Sequence, residues 1–318
     1  MGISDLRELA VIHQIEYDEL AGSIVGVDAL NWLHRYLSIV VQYTDADVYT
    51  TDDGTEVPNL IGIVEGLPKF FEHGLYPVFV FDGAVIGLKE GELQERQERR
   101  RTAAERAEKA RERDDEIEAA RFRAQAQRVT AAMERTTLEL LDLLDIPYLE
   151  APTEAEAQAA HMAQSHSLDY VVSDDYDVLL YGAPLTIRQF TSKGNPECMD
   201  FEATLEKHAI TWEQLVEIAI LCGTDYNEGI YGVGPKTALA EIKEYGDLEA
   251  VLERRAVEIQ HTERIRELFL HPAVTDEYDF DRSMTSDIEA AWTYVTETWE
   301  IPENRVEKHF ERLKNSLG

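Results

Sequence analysis

Three short apolar runs share one grammar, and that grammar limits what the chain can fold into. Ser23 to Val27 (SIVGV) ends in Asp28. Pro77 to Phe81 (PVFVF) ends in Asp82-Gly83. Asp169 to Val172 (DYVV) runs into Asp174, Asp175 and Asp177. The first gives way to ALNWLHRYLSIVVQY, a helical pattern, and Leu185 to Phe190 (LTIRQF) is a fourth strand candidate. Short apolar strands alternating with helices predict an α/β fold with a buried parallel sheet flanked by helices. Ligands in such sheets bind beyond the carboxyl ends of the strands. Asp28, Asp82 and Asp175 all fall at that edge.

Between the second and third runs lies a long polar helical pattern, Lys89 to Asp145. Its first part carries almost no apolar stripe, so it cannot pack into a core and is expected to project from the sheet. Its second part, VTAAMERTTLELLDLLDI, is amphipathic and should return to the body. Pro147 and Pro152 bracket a strand, YLE. After about Met199 the chain reads as helical. TWEQLVEIAILCG is a helix stopped by Gly223, TDYNEGIYGVGP a glycine-rich turn, KTALAEIKEYG a second helix, and RVEKHFERLKNSLG a closing amphipathic helix.

The 318 residues carry a net charge of −33. Alone, that argues against nucleic acid, because phosphate binding normally leaves a basic footprint. Carboxylates spread over nearly every surface segment also fit a protein of molar salt, where the Debye length is only ~3 Å and self-repulsion is screened. The scarce positive charge is concentrated: 12 of the 30 basic residues lie between Lys89 and Arg128. Ion pairs such as Glu92–Arg96 would explain that pattern structurally. No apolar run approaches the ~20 residues of a membrane helix, and the N-terminus lacks a signal pattern. Cys198 and Cys222 read as reduced thiols. A soluble protein of a high-salt cytoplasm is expected.

The carboxylates have plain structural explanations one at a time. Thr153 followed by Glu156 is a capping-box pattern. Asp28 and Asp82 can cap the helices that follow them, and Asp225 can close a turn. Together they are harder to dismiss. Asp28, Asp82, Asp175 and Asp177 sit at strand ends, Glu154 and Glu156 at a helix start, and Asp225 in a loop. Convergence without a partner would force several to bind protons. A divalent cation resolves that repulsion, and an all-oxygen donor set suits Mg²⁺ or Mn²⁺. Two such ions are the expected machinery for phosphodiester hydrolysis.

The stretches GVDALNW, PVFVFDG, LKEGELQERQERR, APTEAEAQAA, SDDYDVLLYG, LCGTDYNEGIYGVGPKTAL and RVEKHFERLK occur in order. Together the chain resembles the archaeal flap endonucleases of the XPG-type 5′-nuclease family, from about Ser23 to near its end. The resemblance implies a PIN-like, Rossmann-like sheet in a nuclease core over residues 1–200. A helical arch would occupy 84–130. A helical region over 201–318 would contain a helix–two-turn–helix motif at about 211–245. It implies a structure-specific nuclease that cuts 5′ flaps in replication and repair. Asp28, Asp82, Glu154, Glu156, Asp175, Asp177 and Asp225 would surround two Mg²⁺ ions, with Mn²⁺ able to substitute. Asp174 matches no ligand of the family. Lys89 and Arg96, seven apart on one helical face, would face the scissile phosphate and act with Asp177 in catalysis.

Similarity to the family also implies DNA contacts at Gly2, at His34, which stands in place of an aromatic, and at Gly232, Val233, Gly234, Lys236 and Thr237. The three backbone N–H groups of 232–234 at a helix start make a phosphate site, with K⁺ bridging to the duplex. The GPKT sequence is no P-loop, because Pro235 interrupts it and a helix precedes it where a strand is required. Trp32 and Tyr36 are further stacking candidates near His34. A sliding-clamp partner is common in the family, but no docking tail is visible before Gly318. A monomer is expected. The competing functions are a Holliday-junction or bubble cutter, and a DNA-binding scaffold that has lost catalysis.

Overall fold

The computed structural model describes residues 3–83, 101–102, 105–106, 129–280 and 286–317. Gly2, Lys89 and Arg96 lie outside the described residues, as does most of the segment expected to form the arch.

Among the described residues, seven strands form one sheet: β1 (Val11–Gln14), β2 (Ile24–Asp28), β3 (Tyr76–Phe81), β4 (Tyr148–Glu150), β5 (Tyr170–Val172), β6 (Leu185–Arg188) and β7 (Glu197–Asp200), in the order β1-β7-β6-β5-β2-β3-β4. The five central and far strands, β6-β5-β2-β3-β4, run parallel. The remaining two do not: β7 is antiparallel to β6, and β1 to β7. The expected parallel sheet flanked by helices is there, and two antiparallel strands at one edge make the whole sheet mixed. Both unforeseen strands are four residues long and only partly buried, so they lack the apolar run that marks the others.

Alternation along β3 feeds two cores, as side chains on a strand must. Val78 and Val80 join one cluster, Phe79 and Phe81 the other. Short helices α1 (Tyr17–Leu20), α3 (Pro58–Gly66) and α4 (Pro68–Glu72) accompany the long α2 (Ala29–Tyr43) on the Phe79 side. The same side holds α5 (Ala131–Leu143), the expected return of the polar segment, which buries Met133, Leu140 and Leu141. Asn59 of α3 ties it down: its Nδ2 donates to Met133 O at 2.9 Å and to the Thr136 and Thr137 hydroxyls at 2.8 and 3.1 Å.

The opposite face carries α6 (Ala155–Gln164), α7 (Asp177–Leu180), α8 (Phe201–His208), α9 (Trp212–Cys222), α10 (Pro235–Tyr245), α11 (Leu248–Arg255) and α12 (Thr262–Leu270). An extended strap after α12 grips α6. Gln158, fully buried, donates to Thr275 O and accepts from Thr275 N–H, at 2.9 and 2.8 Å. The chain then crosses back through α13 (Ile288–Thr293) to α14 (Glu303–Leu317). That closing helix buries Val306, Phe310 and Leu313, and its Arg312 holds Glu72 of α4 through two 2.8 Å bonds.

Candidate metal centre

Four neighbouring parallel strands deliver the acidic residues. Asp28 ends β2, Asp82 follows β3, Glu154 and Glu156 follow β4, and Asp175 and Asp177 follow β5. The chain runs β2, β3, β4 outward in one direction and then returns to β5 on the other side of β2. Asp28 and Asp175 thus flank the point where strand order reverses, the usual crevice for a ligand.

The carboxylates press on one another. Burial pushes Asp28 up to about 7, with repulsion from Asp82 and then Asp175 outweighing the N–H of Asn31. Glu156 is raised well above the carboxylate range by burial, then by Asp175, Asp28 and Asp177, against one stabilising bond from the Ser173 hydroxyl. That hydroxyl donates to Glu156 Oε1 at 2.8 Å and accepts the Asp175 N–H at 3.1 Å, so it joins the end of β5 to α6. Glu154 and Asp177 both act on the buried Tyr181 phenol. Tyr181 meets the hydroxyl of Tyr226, the residue after Asp225, at 3.3 Å.

Local structure separates the roles of these acids. Asp28 does cap α2, accepting the Asn31 N–H at 3.0 Å. Asp82 caps a different helix: its Oδ1 accepts the Ala155 N–H at 2.8 Å, 73 residues away, at the start of α6. The Thr153 capping box does not form. Glu154 is the N-cap residue, without a side-chain cap bond, and the Thr153 hydroxyl donates to Ala273 O at 3.2 Å. Glu156 is consequently free of capping duty and faces Ser173. In the β5 loop, Asp175 Oδ1 accepts the Tyr176 N–H at 2.6 Å. Asp174 turns elsewhere, accepting the Gln189 N–H at 2.6 Å and pairing with Arg35 of α2.

Among the described residues, no three Asp, Glu, His or Cys side chains are gathered as a ready-made metal cage. The donor chemistry still fits a hard divalent cation. The set is all oxygen, and Asp28 and Glu156 are raised first by burial and then by the neighbouring acids, both of which a bound cation would offset.

The expected DNA contacts divide. Gly234 is the N-cap and Pro235 the first residue of α10, as proline's missing N–H allows. Gly232 takes φ +79° in the turn. Val233 departs from expectation, because its N–H is spent on Ile230 O at 3.0 Å and its side chain is buried. Lys236 and Thr237 are exposed, and Lys236 meets Glu8 at 3.4 Å. His34 is half-buried on α2. Trp32 and Tyr36 cannot serve as base stackers: both are core residues, packed together with ring centroids 4.7 Å apart.

Sequence reasoning did not single out Ser173, Arg35 or Arg188, which support the β5 loop. Their partners lie 17, 139 and 12 positions away respectively, and no local pattern announces such pairs.

Two family models match the chain, the XPG N-terminal domain over residues 1–103 and the XPG I-region over residues 145–225. The protein named Flap endonuclease 1 of the archaeon Haloarcula marismortui is 53% identical over 317 residues, covering 100% of this chain and 97% of its own. Among solved structures, the flap endonuclease-1 of Methanococcus jannaschii matches with a TM-score of 0.74 at 31% identity, covering 99% of each chain. The catalytic core of Rad2, solved in complex with DNA substrate, matches with a TM-score of 0.71 at 22% identity, covering 100% of each. The Rad2 likeness is one of fold.

Proposed function

This chain belongs to the flap endonuclease family of XPG-type DNA nucleases, and from that premise we propose how its own residues act. It cuts DNA at the base of 5′ flaps, with 5′-exonuclease activity, in replication and repair. The observation that carries this reading is the delivery of acids from four adjacent parallel strands to one crevice.

Asp28, Asp82, Glu154, Glu156, Asp175, Asp177 and Asp225 would hold a pair of Mg²⁺ ions, or Mn²⁺ in their place. Bound there, such ions would lower the pKa of an attacking water and offset charge on the leaving oxygen. Ser173 holds Glu156, and Asn31 holds Asp28, so that both acids stay oriented while they share the crevice. Asp82 fixes the start of α6, which carries Glu156. Lys89 and Arg96, outside the described residues, would offset charge that develops on the scissile phosphate.

Duplex DNA lies along the turn between α9 and α10, against Gly232, Gly234, Lys236 and Thr237, with K⁺ at the same turn. Val233 shapes the turn from within. Gly2 and His34 would contribute further DNA contacts. The protein works as a monomer in a high-salt cytosol, and the sliding clamp common in the family is a candidate partner. Among the described residues no helix is long and apolar enough to cross a membrane.

Labelled 5′-flap, gapped, bubble and four-way-junction DNA, incubated at high KCl with and without Mg²⁺, tests the proposal. The flap should be cut fastest, and only with the metal. Faster cutting of the junction or bubble would reassign the substrate, and binding without cleavage in Mg²⁺ and Mn²⁺ would favour a silent scaffold.

A further inference from the structure

Tyr176 stands between two of the acids assigned to the metals, Asp175 and Asp177, yet its own side chain points into protein. It is 5% exposed. The Arg188 guanidinium, from the end of β6, lies over its ring with Cζ 3.7 Å from the centroid. Arg7, from the N-terminal turn Ile3–Glu8, donates Nη1 to the Tyr176 hydroxyl at 3.4 Å and Nη2 to Glu197 Oε1 at 3.2 Å. Glu197 is the cross-strand neighbour of Arg188 in the β6–β7 pair.

Arg188 is itself 6% exposed, and its Nε and Nη1 are buried without a hydrogen-bond partner. Burying a guanidinium costs heavily unless something compensates. Here the compensation is the face of one ring, a contact that strengthens when desolvated, together with the nearby charges of Glu197 and Asp175. A salt bridge with full hydrogen bonding would be the ordinary solution. Its absence on two of the three nitrogens indicates that the guanidinium is placed for the ring.

We infer that Arg188 is a positioning residue for the reaction: by clamping the Tyr176 ring it fixes the backbone turn that presents Asp175 and Asp177 to the metals. Tyr176 is the N-cap of α7, and Asp177 is that helix's first residue. A ring locked in this place fixes the Cα–Cβ direction of Tyr176, which restrains the peptide units on both sides of it and, with them, the two acids. Arg7 adds a second hold at the hydroxyl, from a segment 169 residues distant. The inference rests on the metal reading given above.

Manganese titration of the full-length protein by calorimetry, without DNA, provides a readout independent of cleavage. Flap cleavage across Mg²⁺ concentration and circular dichroism accompany it, all in high KCl. Arg188→Met should weaken Mn²⁺ binding on the order of tenfold, within the range for groups behind metal ligands. Its Mg²⁺ requirement should rise in step, with the flap KM unchanged. Tyr176→Phe keeps the ring face and should bind Mn²⁺ within about twofold of wild type, whereas Tyr176→Leu should match Arg188→Met.

Wild-type Mn²⁺ affinity in Arg188→Met would overturn the clamp while leaving the metal reading intact. Equal losses in Tyr176→Phe and Tyr176→Leu would also overturn it, by assigning the role to the hydroxyl. This Tyr176 pair decides the matter even if Arg188→Met does not fold. Wild-type protein that takes up no Mn²⁺ would remove the metal reading, and the clamp with it.

Discussion

Gly83 offers the sharpest test of how the crevice is set, because a single methyl group should distort it. The segment after β3 is zipped to the segment after β4: Ala151 N–H donates to Phe81 O at 2.8 Å, and Gly83 N–H to Thr153 O at 2.7 Å. A Cβ at Gly83 would sit 1.8 Å from Ala151 O, against a limit of 3.0 Å for real Cβ contacts. The obstacle is backbone, so no side chain can rotate away. In Gly83→Ala the two segments must part by roughly 1 Å, at a stability cost of about 1–3 kcal/mol. Asp82 precedes Gly83 and Glu154 follows Thr153, so parting the segments separates two of the acids and strains the Asp82 bond to Ala155 N–H. Misplacement of that size costs on the order of a hundredfold in rate. Denaturant melts at high KCl and single-turnover flap cleavage measure the two effects. Gly234→Ala is the control for stability, since its added Cβ meets nothing within 4 Å. A Gly83→Ala protein that keeps both stability and cleavage rate would refute the claim that this close approach sets the crevice.

Asp177→Asn should still bind flap DNA at high KCl but cut it at least about a hundredfold more slowly; a wild-type rate would remove Asp177 from the ligand set. Asn59→Ala should lower unfolding free energy by about 2–3 kcal/mol, because it deletes a fully buried donor shared by three acceptors on α5. An unchanged denaturation midpoint would show that α3 and α5 do not depend on it. The Cys198 thiol, pushed from 9.0 up to about 11 by burial and then by Asp200 and Glu19, supplies a pH dependence. Between those values the folded chain keeps a proton that the unfolded chain has released, so unfolding releases protons and stability falls as pH rises. The contribution is complete below about pH 9 and lost through pH 11. Midpoints measured across that window should fall less steeply in Cys198→Ala than in wild type, and parallel slopes would contradict the assignment.

The amino-acid sequence by itself determined the order of strands and helices along β2 to β6 and the placing of an acid after each of four strands. It also determined the Gly-Pro start of α10 and the amphipathic α5 and α14. These are local properties: a period of two or 3.6 residues, a turn glycine or a capping position is complete within a dozen residues. Tertiary structure decided the rest. β1 and β7 became strands by pairing with distant edges, although neither carries an apolar run of its own. The same alternation that marked PVFVF could not say which neighbours its two faces would meet. Trp32 and Tyr36, near His34 in the chain, are held in the core because the helix turns Trp32 toward Phe70 and Phe79 and packs Tyr36 against Trp32. The crowded acids Asp174, Asp175 and Asp177 look alike in sequence, and their spacing alone does not rank them. The family resemblance sets Asp174 apart, but the physical reason appears only once Arg35 and the Gln189 N–H take Asp174, Ser173 reaches Glu156, and Arg188 lies across Tyr176. Pair formation of that kind depends on which segments the fold brings together, and the chain does not write it in any one stretch.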